Sequence, residues 1–149
     1  LKALAINEEL GRKEGMADVY GNLGNIYRIL DDLDKAEEMY RKAIAIDEGL
    51  GRKEGMAIGY GNLGLIHSTR GDLDKAEELH RKALAINEGL GRKEGMAAQY
   101  RHLGIVFEKR GQHDGAREQL TKARDLFAKI GMLHEVQKTQ AFLEGVPKD

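Results

Sequence analysis

Five histidines, three copies of a glycine-flanked basic loop and a pair of asparagines in matching register are the residues of this chain whose types suggest chemistry. Imidazoles can ligate a metal or move a proton, yet His67, His80, His102, His113 and His134 include no i, i+4 ligand pair with a supporting carboxylate, so no metal site is expected. His67 and His80 stand where an earlier copy of the same pattern has Tyr27 and Tyr40, which predicts packing with a satisfied ring nitrogen. The loop Gly-Arg-Lys-Glu-Gly lacks the full spacing of a phosphate-binding loop, has no Ser or Thr after its lysine and follows no strand, so it reads as an interhelix turn. No nucleophile, base and orienting acid can be assembled, and neither enzyme activity nor a cofactor is expected. Asn22 and Asn62 differ in kind: each amide offers two donors and an acceptor and can pair with the backbone of an extended peptide whatever that peptide's side chains.

The elements that must position these residues follow from a period of 40. Gly-Arg-Lys-Glu-Gly-Met-Ala recurs at 11–17, 51–57 and 91–97, and residues 2–41 match 42–81 at 27 of 40 positions. A fourth, weaker copy runs from Lys122 through Leu143. Within a period, Met16, Tyr20, Leu23, Tyr27 and Leu30 make one helical stripe, and Leu33, Ala36, Tyr40, Ala43 and Leu50 make a second. A polar turn at Asp31-Asp32 separates them, with Asp32 or Asp34 placed to cap the second helix, and glycines at 11, 49, 51, 91 and 131 are placed to end second helices. Gly24, Gly64 and Gly104 fall inside the first helices, where each costs about 1 kcal/mol relative to alanine; close approach of the partner helix would justify them, with Ala36, Ala76 and Ala116 opposite. Balanced charge, with 24 basic and 25 acidic residues, argues against nucleic-acid binding through a global basic excess, and no apolar run approaches the roughly 20 residues that span a bilayer. With no cysteine, neither disulfides nor thiolate zinc can support the fold, and a cytoplasmic location is expected.

Tyr20, Leu23-Gly24, Tyr27, Ala36, Tyr40 and Ala43 recur as Tyr60, Leu63-Gly64, His67, Ala76, His80 and Ala83, and as Tyr100, Leu103-Gly104, Phe107, Ala116, Leu120 and Ala123. This pattern resembles the tetratricopeptide repeat family over essentially the whole chain. The 40-residue unit, with Glu48 where the family usually has a proline, is similar to the longer repeats of kinesin light chains, cell-polarity scaffolds and many bacterial signalling proteins. The resemblance implies an all-α fold, a right-handed superhelical solenoid of antiparallel helix pairs with about seven helices. Expected boundaries are a partial second helix at 1–10, repeats at 11–50, 51–90 and 91–130, a polar-faced capping helix at 131–145 and a tail at 146–149. The chain is expected to be a segment of a longer array. At its start, Ala3, Ile6 and Leu10 would lack a covering helix and promote contact between chains.

In this family the first helices line a concave groove that meets peptide ligands. Carried onto this chain, the groove residues are Asn22, Asn25 and Arg28 in the first repeat, Asn62, Leu65 and Ser68 in the second, and Arg101, His102, Ile105 and Lys109 in the third. Most differences between the first two copies fall at 18–31, and Asp18/Ile58, Asn25/Leu65 and Ile29/Thr69 share one helical face. The frame is repeated while one face varies. A carboxylate clamp is not expected, because Gly21 and Gly61 take slots where it needs polar or basic residues and Leu65 replaces an asparagine; Arg101 holds one basic slot. The expected function is a noncatalytic interaction module that binds an amphipathic, partly acidic peptide segment of a partner protein. The alternatives are a structural spacer that stacks through its open N-terminal helix, and a sensor segment of a larger signalling protein.

Overall fold

A computed structural model describes residues 2–148; within that range the side chains of residues 2, 3, 4 and 7, and with them the expected exposure of Ala3, lie outside the described set. The described residues form seven helices and no strand: α1 (Lys2–Ile29), α2 (Leu33–Leu50), α3 (Lys53–Arg70), α4 (Leu73–Leu90), α5 (Lys93–Lys109), α6 (His113–Lys129) and α7 (Leu133–Gly145). Each packs on its neighbours in sequence, and α3 also touches α5, so the chain is an α-solenoid with α1, α3, α5 and α7 as first helices.

Local chemistry sets the helix ends. Asp32 and Asp72 cap α2 and α4 by accepting from the backbone N–H of Lys35 at 3.2 Å and Lys75 at 3.3 Å. Gly51 and Gly91 close α2 and α4 in the left-handed region at φ 70° and 67°, with the N–H of Arg52 and Arg92 reaching back to the carbonyls of Asp47 and Asn87. Asp31 holds the same conformation at φ 61° in the turn where the next two repeats have Gly71 and Gly111.

The first-helix glycines have a steric cause. A Cβ on Gly24 would lie 2.5 Å from the ring of Tyr40, one on Gly64 2.6 Å from that of His80, and one on Gly104 2.6 Å from Leu120. The stripe residue of each second helix therefore lies directly on the glycine of its own first helix. Ala36, Ala76 and Ala116 are fully buried. The core runs through Tyr40, Ile44, Leu63, Ile66 and Leu79, and ends around Phe127, Leu120 and Val146.

One expectation is corrected at the start of the chain. Gly11 does not end a helix: residues 2–29 form one helix that runs through it. The heptapeptide that turns at 51–57 and 91–97 is helical at 11–17. The turn at Gly51 is held because α3 packs back onto α2, and the same is true of α5 on α4. In α1 the helix runs on through Gly11 and Gly15.

Candidate functional site

A concavity of about 720 Å³ lies between α1 and α3. Asp18, Asn22 and Asn25 line it from α1, Ile58 and Asn62 from α3, and Tyr40 and Asp47 from α2 beneath. Gly24 decides its floor, because only a residue without a side chain lets the Tyr40 ring lie across α1. The Tyr40 hydroxyl donates to Asn25 Oδ1 at 2.6 Å and receives Arg28 Nε at 3.4 Å. At one rim Arg52 donates to Asp47 at 2.9 Å, to Asp18 at 3.3 Å and to the Glu14 carbonyl at 3.4 Å, which spans α1, α2 and α3. Burial raises the Asp47 carboxyl above its usual range, and Arg52 opposes that shift.

The structure brings only part of the expected set to this groove. Asn22, Asn25 and Asn62 line it together, with Asn25 already engaged by Tyr40, and neither the Asn22 nor the Asn62 amide has a hydrogen-bond partner among the described residues. Leu65 is half-buried farther along α3, and its carbonyl accepts from Thr69.

Four residues expected to offer groove polarity are consumed in helix-to-helix contacts. Arg101 is buried, not a free basic slot: its guanidinium donates to Glu135 and, at 3.3 Å, to Thr139 of α7, and lies 5.0 Å from the centre of the Phe127 ring. The Arg101 hydrogen bond holds the Glu135 carboxyl below its usual pKa. Lys109 reaches back to Ser68, donating to its hydroxyl at 3.1 Å and its carbonyl at 3.3 Å. His102 stacks on His80 at 5.0 Å, and His80 Nδ1 meets Gln99 Oε1 at 2.8 Å while its Nε2 is buried without a partner. Burial lowers the pKa of His80 to about 4 and that of His102 to about 3, so both rings are neutral near pH 7. Ile105 opens on a separate cavity of about 230 Å³ with Leu120, Phe142 and Val146. Among the described residues no three potential metal ligands gather.

Sequence reasoning missed Tyr40 and Arg52 as groove elements. Tyr40 reads as a core stripe residue, and only the polar neighbours Asn25 and Arg28, changed to Leu65 and Ser68 where Tyr40 becomes His80, signal that its hydroxyl is served from α1. Arg52 sits in a heptapeptide present three times and carries no distinguishing mark.

With helix pairs stacked at a 40-residue period and a concave face between first helices, the comparisons decide the family. Tetratricopeptide repeat models match residues 55–129 and 17–50. The chain belongs to the tetratricopeptide repeat family. No curated protein matches it. Among solved structures, BtubC (BKLC) of P. vanneervenii is 27% identical with a TM-score of 0.72 over 86% of this chain, which spans 54% of that protein. The N-terminal domain of stress-induced protein-1 (STI-1) from C. elegans is 18% identical, with a TM-score of 0.65 over 86% of this chain and 97% of that one. A P. anserina protein assigned as a kinesin light chain, with nearly identical TPR-like repeats, is 22% identical, with a TM-score of 0.61 over 87% and 72%. The last two show the fold alone. Tetratricopeptide repeats are generally noncatalytic and bind protein partners, so the chain is a protein–protein interaction module. No described helix is long and apolar enough to cross a membrane.

Proposed function

We propose that the groove between α1 and α3 holds an extended peptide segment of a partner protein. The observation that carries this is the pair of unpartnered amides, Asn22 and Asn62, one repeat apart on the walls of a single concavity. Each can donate to and accept from a peptide backbone, and two such residues one repeat apart grip a chain without reading its side chains. Ile58, 52% exposed and one turn before Asn62 on α3, offers the apolar contact. The groove's own charges are largely paired, since Arg52 is spent on Asp47 and Asp18, so the segment preferred here carries apolar and polar residues with modest net charge. The third repeat contributes less than its sequence suggests, because Arg101, His102 and Lys109 are occupied.

Micromolar binding corresponds to about −8 kcal/mol. The test is selection of peptides on an array, followed by titration of the best binder into the native chain and into Asn22→Ala/Asn62→Ala. Loss of two backbone hydrogen bonds weakens binding by about 2 kcal/mol, roughly thirtyfold, while the melting temperature stays within a degree or so because both amides lack protein partners. Undiminished binding by the double variant contradicts the proposal.

A further inference from the structure

Each first helix in this array carries a face that the second helix of the preceding repeat covers. On α3 that face includes Gly59, which lies against Ile44 of α2, and Ile66, which is 0% exposed. On α5 it includes Gln99, bonded to His80 of α4, and Val106, also 0% exposed. The same register positions on α1 are Val19 and Ile26, and they are 56% and 51% exposed.

What covers this face elsewhere includes the C-terminal half of the second helix, reading Lys-Ala-Ile-Ala-Ile-Asp-Glu-Gly-Leu at 42–50 and Lys-Ala-Leu-Ala-Ile-Asn-Glu-Gly-Leu at 82–90. Residues 2–10 read Lys-Ala-Leu-Ala-Ile-Asn-Glu-Glu-Leu, the same as 82–90 at all but one position. The chain thus contains the segment that fits the open face of α1, but that segment is the beginning of α1 itself, and a helix cannot lie against its own side. At 51–57 and 91–97 the intervening heptapeptide makes the turn that folds the two together; at 11–17 the same heptapeptide is opened into helix.

We propose that residues 2–10 cover this face on a second copy of the chain, in a symmetric dimer of two antiparallel α1 helices. This is an exchange of identical elements across an opened hinge, which gives each copy the contact that neither can make alone. The register follows from the array. Gly55 lies against Asp47 and Gly59 against Ile44, which centres the α2–α3 pair near residue 51, one repeat beyond residue 11. An antiparallel pair in that register has its two-fold axis near residue 11. Gly11 and Gly15 lie along this side, with open space where a Cβ would stand, so the backbones can approach closely at the crossing. The exchanged segment reaches about as far as residue 20, covering Val19, while Ile26 and Leu30 lie beyond it. This interface lies on the side of α1 that carries Val19 and Ile26, next to the wall that holds Asn22.

The test is sedimentation velocity of the 149-residue chain across the micromolar range, with three variants. The native chain is expected to be a dimer. Val19→Glu, at an exposed position, is expected to raise the dimer dissociation constant by about tenfold or more with an unchanged helical spectrum. Because the chain has no cysteine, Gly11→Cys under oxidising conditions is expected to give a covalent dimer, whereas Lys13→Cys, on the opposite side of α1, is not. A native chain that stays monomeric throughout overturns the proposal. So does association that Val19→Glu leaves intact, or that links Lys13→Cys as readily as Gly11→Cys, since either outcome places the contact elsewhere.

Discussion

Tyr40, His80 and Leu120 occupy one structural slot, each lying on a first-helix glycine, and their differences set local behaviour. Tyr40 turns its hydroxyl to Asn25, Leu120 has nothing to satisfy, and His80 must remain neutral beside a second neutral ring, His102. The folded pKa values, about 4 and about 3, lie below the unfolded value near 6.5. Depressed values mean that the unfolded chain binds more protons between them, so the stability these rings confer is fully present above pH 6.5 and is lost as pH falls toward 4 and below. Thermal melts should show the native chain losing stability between pH 7 and pH 5. The variant His80→Leu/His102→Asn, with residues that other repeats carry at those places, should be flatter over that range; an equal slope would show that these rings are not its source. Asp31 supplies a second test. Its left-handed backbone costs an L residue about 1 kcal/mol, and glycine fills the same turn at 71 and 111, so Asp31→Gly should raise unfolding stability by about 0.5–1 kcal/mol in denaturant titrations.

Between elements, arginine clamps repeat with the period. Arg70 at the end of α3 donates to Glu37 at 2.6 Å and Asp34 at 2.5 Å on α2, and Arg110 at the end of α5 donates to Glu77 and Asp74 on α4. The hydrogen bond from Arg110 leads the causes that lower the Glu77 pKa, so its contribution is present above the ordinary carboxylate range and is lost as pH falls through the lowered folded value. Arg110→Ala should cost about 1–2 kcal/mol in denaturant unfolding, with the loss shrinking at high salt, because the guanidinium is mostly covered while Asp74 stands in solvent. Position 30 in the first repeat is leucine, 68% exposed, and α1 has no such clamp among its described contacts. Along α2, Glu37–Arg41 and Glu38–Lys42 form i, i+4 pairs at 3.0 and 3.2 Å, a spacing local to one helix. The sharing of Glu37 and Glu77 with the next first helix was not readable, because it joins residues 33 apart whose meeting depends on how the pairs stack.

For the whole molecule, the periodic features were open to sequence: the helix pairs, the glycines beneath residues 40, 80 and 120, and the turns at Gly51 and Gly91. Two features were not. The heptapeptide at 11–17 is identical to those that turn, so only the packing around it distinguishes helix from hairpin. Which groove residues remain free also depends on particular distant partners, as with Arg101 taken by Glu135 and Lys109 by Ser68. The face marked by variation between copies contains both occupied and open positions, and the open ones, Asn22 and Asn62, fall where the first two copies agree.

That pair defines the most direct measurement of the central claim. With the side-chain amides of the native chain followed by NMR during titration of an array-selected peptide, the Asn22 and Asn62 resonances should shift most and saturate together, alongside Ile58. Saturating shifts confined to α2, α4 and α6, or to Val19 and Ile26 of α1, with both asparagines unmoved, would contradict a peptide-binding groove between α1 and α3.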